Sequence, residues 1–193
     1  MWSNIAIGST QAAGASGQII INHGAATVTN NNLIGRYAAT VNGLVNIAGA
    51  STTINIQKHD SSGGMYTTGQ AATDGVGSKV YADIAAQECY RISDATVERF
   101  TISGLDPAAQ YEFRFYSSYA AGGDRVTLFK VWTGALGTQT GLQSNTVDSR
   151  NAFNEADYEL VFTVTPNASG EVYFSYELSV GLGVFNAMRI IQL

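Results

Sequence analysis

Charged residues are scarce in this sequence, and cysteine, histidine and proline are scarcer still. Asp, Glu, Lys and Arg make up 13% of the 193 residues, where soluble domains usually carry about 25%. The single cysteine, Cys89, excludes a disulfide within the chain, so stability must come from an apolar core and backbone hydrogen bonds. The net charge of −5, with no cluster of Lys or Arg, argues against a nucleic-acid partner.

Long apolar runs are also missing. No segment approaches the roughly 18 apolar residues of a membrane-spanning helix, and the first residues lack the basic start and apolar run of a signal peptide. We therefore expect no membrane insertion. Two origins fit these features: a chain made in a cytoplasm that leaves it by assembly and lysis, or an excised module whose Met1 was added for expression.

Residues suited to catalysis are few. A nucleophile usually needs a histidine beside it, and neither His23 nor His59 lies near a G-x-S-x-G motif. One cysteine and two separated histidines give no recognised zinc spacing either. We interpret both histidines as solvated loop residues, and we predict no catalytic residue, no metal ligand and no enzyme activity.

The carboxylates leave two alternatives open. A pair for glycoside hydrolysis can come from any strands, although we interpret the available residues as turn and edge positions: Asp83, Glu88, Asp94 and Asp124. Loops rich in Gly, Ser and Asn, which are able to hold Ca²⁺, contain Asp60, Asp74 and Asp148. No EF-hand spacing occurs, so we predict no cofactor and keep Ca²⁺ as the alternative.

The apolar residues that are present alternate with polar ones. Tyr111, Phe113 and Phe115 share one face of an extended strand, while Glu112, Arg114 and Tyr116 share the other. The same alternation recurs in two later segments, at residues 158–164 and 172–178. Several such strands joined by glycine-rich turns predict an all-β, antiparallel sandwich or barrel with little helix.

We divide the chain into an N-terminal arm with a first strand, residues 1–30, and a single β-sandwich domain, residues 31–193. Within the arm, Ile19–Ile21 is the segment that we expect to pair with the edge of a neighbouring molecule. Asn42-Gly43 predicts a tight hairpin turn. We expect loops at residues 58–79 and 134–157, and a short helical segment at residues 79–90.

Aromatic residues are the remaining candidates for ligand binding, because sugar rings stack on exposed aromatic faces. Those on loops or on the outward phase of strands are Trp2, Tyr66, Tyr90, Tyr116, Tyr119 and Trp132. The best cluster is the loop at residues 117–125, where Tyr119, Asp124 and Arg125 combine a flat ring, a carboxylate and a planar donor. The alternative is a plain hairpin loop in which Asp124 and Arg125 pair with each other.

Four segments carry a family resemblance: FTISGLDPAAQYEFRFYSS, GGDRVTLFKVWTG, VFTVTPNASGEVYFSYEL and FNAMRIIQL. In this order they resemble the galactose-binding-like β-sandwich modules of secreted bacterial glycan-active enzymes, which also occur in bacteriophage virion proteins. The resemblance implies a jelly-roll-like sandwich of roughly eight to ten strands, usually non-catalytic, with its ligand loops at one end. It implies structural roles for Gly104, Leu105, Asp106 and Asn186.

Two functions follow as expectations. The first is a bacteriophage virion surface component, such as a head decoration, head fibre or tail protein. Its partners would be capsid or tail proteins and further copies of itself, with a glycan as a further ligand. The alternative is an extracellular carbohydrate-binding module of a secreted glycan-active enzyme. For either, the predicted ligand residues are Tyr119, Asp124, Arg125, Tyr116 and Trp132.

Overall fold

The computed structural model describes residues 18–23, 32–34, 38–60, 64–66, 89–119, 123–149 and 159–193. These residues form β-strands and contain no helix. In chain order the strands are β1 (Ile19–Asn22), β2 (Asn32–Leu33), β3 (Ala39–Val41), β4 (Asn55–Lys58), β5 (Gly64–Tyr66), β6 (Cys89–Ile92), β7 (Val97–Ser103), β8 (Tyr111–Tyr116), β9 (Arg125–Trp132), β10 (Gln143–Asp148), β11 (Glu159–Val164), β12 (Val172–Gly181), β13 (Gly183–Phe185) and β14 (Ala187–Gln192).

The strands assemble into two large sheets and one small one. The first sheet has the order β11-β8-β14-β1-β2, and the second has the order β10-β9-β12-β7-β4-β3. All pairs within them are antiparallel except β1 with β2. A third sheet, β13-β6-β5, lies at one end. This arrangement confirms the predicted all-β, antiparallel, jelly-roll-like β-sandwich.

The core lies between the two large sheets and combines aromatic rings with aliphatic side chains. Phe115 of the first sheet contacts Phe129 and Phe174 of the second, with ring centroids 4.9 Å and 5.1 Å apart. The predicted alternation is confirmed for Tyr111, Phe113 and Phe115, which are all at most 3% exposed. The predicted exposure of Tyr116 on the opposite face is wrong, because Tyr116 is 4% exposed and β8 is buried on both faces at its end. Burying an aromatic side chain of this kind contributes about 1.5–3 kcal/mol, so these rings account for much of the stability of the sandwich.

The first strand differs from expectation. Ile19–Asn22 pairs with β14 and β2 of its own chain, and Ile19 and Ile21 are fully buried in the shared core. The prediction that this segment pairs with a neighbouring molecule is therefore wrong for this structure. Pairing within the chain is favoured because it buries the two isoleucines on one face of the strand in the core. Pairing with the open edge of another molecule would not bury them in this way.

The Asn42-Gly43 hairpin prediction is also wrong. The chain reverses later, where Asn46 accepts hydrogen bonds through its side-chain oxygen from the backbone N–H groups of Ala48 and Ala50. At Gly43, which has φ +61°, the strand is instead interrupted and its N–H donates to the Asn55 side chain. An Asn-Gly pair also suits a bulge, since a bulge likewise uses a positive φ.

Two predicted loops contain strands. β5 lies inside the first predicted loop and β10 inside the second. The exposed residues of β10 are all polar, so its sequence shows no alternation of apolar and polar residues. Tyr90, from the predicted helical segment, lies in β6 instead. Cys89 of that segment also lies in β6, whereas residues 79–88, with Asp83 and Glu88 among them, lie outside the described residues, as do Trp2 and Asp74.

The two glycine turns of the family resemblance pack against each other. The N–H of Leu105 donates to the carbonyl of Gly170, and a Cβ on Gly170 would lie 2.3 Å from the Leu105 oxygen. Asn186 is buried and its side-chain oxygen accepts from the N–H of Ser118. These contacts agree with the structural roles that the resemblance implied.

Candidate functional site

The predicted loop joins β8 to β9 at the end of the sandwich where the third sheet lies. Tyr119 is fixed there by its backbone, because its N–H donates to the carbonyl of Ser149, whose N–H donates in turn to the carbonyl of Arg125. The Tyr119 ring packs with Cys89, Val184 and the partly buried Leu182. Strand β9, which pairs with β10 and β12, begins at Arg125, so the end of a paired strand carries this residue of the predicted site.

Two arginines meet at Tyr119. The Arg125 guanidinium lies over its ring, 5.1 Å from the centroid, and the Nη1 group of Arg91 donates to its hydroxyl at 3.4 Å. Arg91 comes from β6 and Arg125 from β9, so two different sheets supply them. Both side chains are partly exposed, whereas Tyr119 is only 8% exposed. The tyrosine therefore positions two cationic groups rather than offering an open ring face.

Asp124 and Arg125 contact each other through the backbone. The Arg125 Nη1 group donates to the Asp124 carbonyl at 2.7 Å, and the N–H of Leu182 donates to the same oxygen at 3.3 Å. A Cβ on Gly181 would lie 1.9 Å from this carbonyl, so only glycine permits the approach. The Asp124 side chain remains exposed. The structure thus brings together three of the predicted ligand residues: Tyr119, Asp124 and Arg125.

The other two predicted ligand residues are packing residues. Trp132 is 1% exposed, stacks on Tyr173 at 6.0 Å and donates from its indole nitrogen to the Ala135 carbonyl. It lies at the opposite end of β9 from Arg125. Tyr116 is 4% exposed at the end of β8. Both side chains are buried in packing contacts, and their assignment as ligand residues stays a prediction.

The remaining carboxylates take structural roles where they are described. Asp94 accepts a hydrogen bond from the Thr96 N–H, as in a turn. Asp60 holds Arg99 through both oxygens; burial alone would raise the pKa of Asp60, but these hydrogen bonds lower it. Across the described ranges, no three His, Cys, Asp or Glu residues form a group suited to a metal ion. The predicted Ca²⁺ alternative stays untested.

A second cluster, which the sequence did not predict, lies deep inside the sandwich. Lys58 of β4 contacts Glu98 of β7, with 2.6 Å between Nζ and Oε2, and both side chains are 0% exposed. His23 follows β1 and is also 0% exposed, with its Nε2 3.4 Å from the lysine nitrogen and 3.8 Å from the same glutamate oxygen. Tyr176 lies opposite Glu98 in the strand register. We call Lys58, Glu98, His23 and Tyr176 the buried cluster.

Aromatic rings surround the buried cluster. The lysine nitrogen lies 5.1 Å from the ring centroid of Tyr90 and 5.7 Å from that of Phe100. His23 contacts the rings of Tyr90 and Phe185 at 4.4 Å and 4.8 Å. Burial, and then the nearby lysine, hold the pKa of His23 well below its usual value. Burial, and then Glu98, raise the pKa of Tyr176 well above its usual value.

The interpretation of His23 as a solvated loop residue is therefore wrong. The sequence places it after an apolar strand and before a glycine, with no sign that the chain turns back into the core there. One signal was available: Lys58 and Glu98 both occupy the core phase of their strands, together with Ile56 and Phe100. Two opposite charges on inward phases of paired strands indicate a buried pair.

Comparison with solved structures found similarity to two carbohydrate-binding modules and to a phage tailspike domain. The family 32 carbohydrate-binding module of C. perfringens NanJ in complex with galactose is 15% identical, with a TM-score of 0.36 over 70% of this chain and 93% of that chain. A family 61 module in complex with β-1,4-galactotriose is 10% identical, with a TM-score of 0.33 over 72% and 87% of the two chains.

The enzymatically active domain of tailspike protein 4 of bacteriophage CBA120 is also similar, at 10% identity and a TM-score of 0.27 over 94% of this chain and 20% of that chain. No family model matches the sequence, and no curated protein matches it either. Within the described residues, no helix is long and apolar enough to cross a membrane.

Proposed function

We propose that this chain is a non-catalytic β-sandwich that binds a glycan through the surface formed by Arg91, Tyr119, Asp124 and Arg125. The observation that carries the proposal is the meeting of two guanidinium groups at one tyrosine, beside an exposed carboxylate, on a rigid sheet end. Guanidinium groups donate paired hydrogen bonds to sugar oxygens, and a carboxylate accepts bonds from hydroxyls.

Recognition at this surface rests on hydrogen bonds rather than on ring stacking. The Tyr119 face that a sugar would need is occupied by Arg125, and the ring itself is nearly buried. The exposed or partly exposed polar side chains are those of Arg91, Asp124 and Arg125, although the Nε atom of Arg125 is itself buried. This geometry favours a ligand rich in hydroxyl or carboxyl groups, as glycans are.

We further propose that the setting is a virion surface, with capsid or tail proteins and other copies of the chain as partners. The support is the low charge of the sequence together with the edge strand β10, whose exposed residues are all uncharged: Gln143, Ser144, Asn145 and Thr146. An uncharged edge suits close contact with another protein, since native edges that avoid contact usually carry charge or proline.

The binding proposal is tested on a glycan array, followed by titration of any hit. Arg125→Lys keeps the charge but removes the paired donors, so we expect affinity to fall about tenfold or more. Tyr119→Phe removes only the hydroxyl that Arg91 contacts, and we expect a smaller loss. The control is Arg99→Lys, at an exposed arginine that pairs with Asp60. Equal affinity in all three variants would remove this surface from consideration.

The alternative setting is a carbohydrate-binding module of a secreted enzyme, and the same polar surface supports it. Gene context separates the two settings. Neighbouring capsid, portal or tail genes would support the virion setting, whereas a reading frame continuous with a glycanase would contradict it. Light scattering adds a second measurement, because a stable oligomer is expected of a decoration or fibre protein.

A further inference from the structure

We propose that the buried cluster is a self-modification site, at which Lys58 and Glu98 condense to an amide that links β4 covalently to β7. The proposal concerns the interior of the sandwich and is independent of glycan binding. It starts from the 2.6 Å contact between the lysine nitrogen and a glutamate oxygen, with no exposed surface on either side chain.

The strand register holds the two groups together. β4 pairs antiparallel with β7, with Lys58 opposite Phe100, so Glu98 is its diagonal neighbour on the same inward face. Long side chains reach across such a diagonal. Reacting groups fixed in this way have effective concentrations of about 10⁵ M or more, far above those of free amines and acids.

The surroundings favour the reactive forms of both groups. A buried ammonium and carboxylate lose their hydration, and the low dielectric among Tyr90, Phe100 and Phe185 favours transfer of one proton to give an amine and a carboxylic acid. The amine is the nucleophile and the acid is the electrophile. The amide that results carries no charge, so the apolar interior no longer has to hold an ion pair.

The reaction balances without any other reagent. The amine Nζ bonds to the Glu98 carboxyl carbon, one C–O bond breaks, and the leaving oxygen departs as water with one proton from the acid and one from the amine. His23 is placed to move the second proton, since its Nε2 lies near both the nitrogen and the oxygen. Held neutral by burial, it accepts a proton from the nitrogen and returns it to the leaving oxygen.

The test is the intact mass of the full chain, measured after denaturation. We expect the wild-type chain, compared with the mass its sequence predicts, to be lighter by one water molecule. Lys58→Met should show the full mass that its sequence predicts. Both chains undergo the same N-terminal processing, so this processing does not affect the difference between them. The measurement does not depend on whether the variant folds. After trypsin digestion, the wild-type peptides that carry Lys58 and Glu98 should remain joined.

Timing gives a second readout. Wild-type chain kept unfolded in urea from the start should have its full mass, and should lose one water after refolding. His23→Gln should slow that loss about a hundredfold, the size of a general acid–base contribution. An unchanged rate would overturn the histidine's role. A folded wild-type chain that keeps its full mass would overturn the proposal, leaving an ordinary buried ion pair.

Discussion

Gly104 in the Ser-Gly-Leu-Asp turn is a position where one added methyl group should be costly. Its φ is +79°, and a Cβ built there would lie 2.1 Å from the carbonyl oxygen of Thr53. Gly104→Ala therefore adds two separate penalties. A positive φ costs an L-residue about 1–2 kcal/mol, and forcing an atom into a packed site costs about 1–3 kcal/mol.

Two further glycines separate these penalties. At Gly43 the φ is +61° but the nearest atom to a built Cβ is 3.6 Å away, so Gly43→Ala carries the conformational cost alone. At Gly137 nothing lies within 4 Å. We expect a loss of free energy of unfolding of about 2–5 kcal/mol for Gly104→Ala and about 1–2 kcal/mol for Gly43→Ala. Gly137→Ala should change it by less than about 0.5 kcal/mol.

The assay is equilibrium unfolding in urea, read by tryptophan fluorescence and by circular dichroism. Stability differences count only where the dependence on denaturant, the m value, is unchanged, since a changed m value reports a different unfolded or native state. The order of the three variants is the decisive result. A Gly104→Ala chain as stable as Gly137→Ala would refute the packing of this turn against Thr53.

Two other predictions concern buried charge. His23 has a folded pKa well below its unfolded value of about 6.5, so only the unfolded chain gains a proton as pH falls below that value. Its stabilising contribution is therefore present above pH 6.5 and should decline by up to about 1.4 kcal/mol per pH unit below it. In urea titrations, His23→Gln should flatten that decline more than His59→Gln, and equal slopes would contradict the burial of His23. Glu159 is 1% exposed and forms a paired 2.8 Å contact with Arg189, so Glu159→Gln should cost about 3–5 kcal/mol. Glu177→Gln, at a partly exposed pair, should cost under about 1 kcal/mol in the same thermal or urea assay, and similar losses would argue against the buried pair.

The local sequence pattern determined the strands that form the core. Alternation over residues 111–116 and 172–178 predicts extended strands, although in β12 both faces are buried from Val172 to Tyr176. The glycine turns were also predictable from the sequence, because a positive φ at Gly104 or Gly170 limits the choice of residue. Strand β10 was not, since Gln, Ser, Asn and Thr at an exposed edge show no alternation.

Tertiary structure decided what the side chains do. Arg91 and Arg125 lie far apart in sequence, and only the third sheet, in which β6 pairs with β13 and β13 contacts β9, brings both to Tyr119. His23 likewise lies beside Lys58 and Glu98 because β1, which precedes it, pairs with β14. No local sequence pattern specifies this pairing. The period of the sequence pattern indicates on which face of a strand a residue lies. A binding site depends on which strand faces come together, and long-range strand pairing determines this.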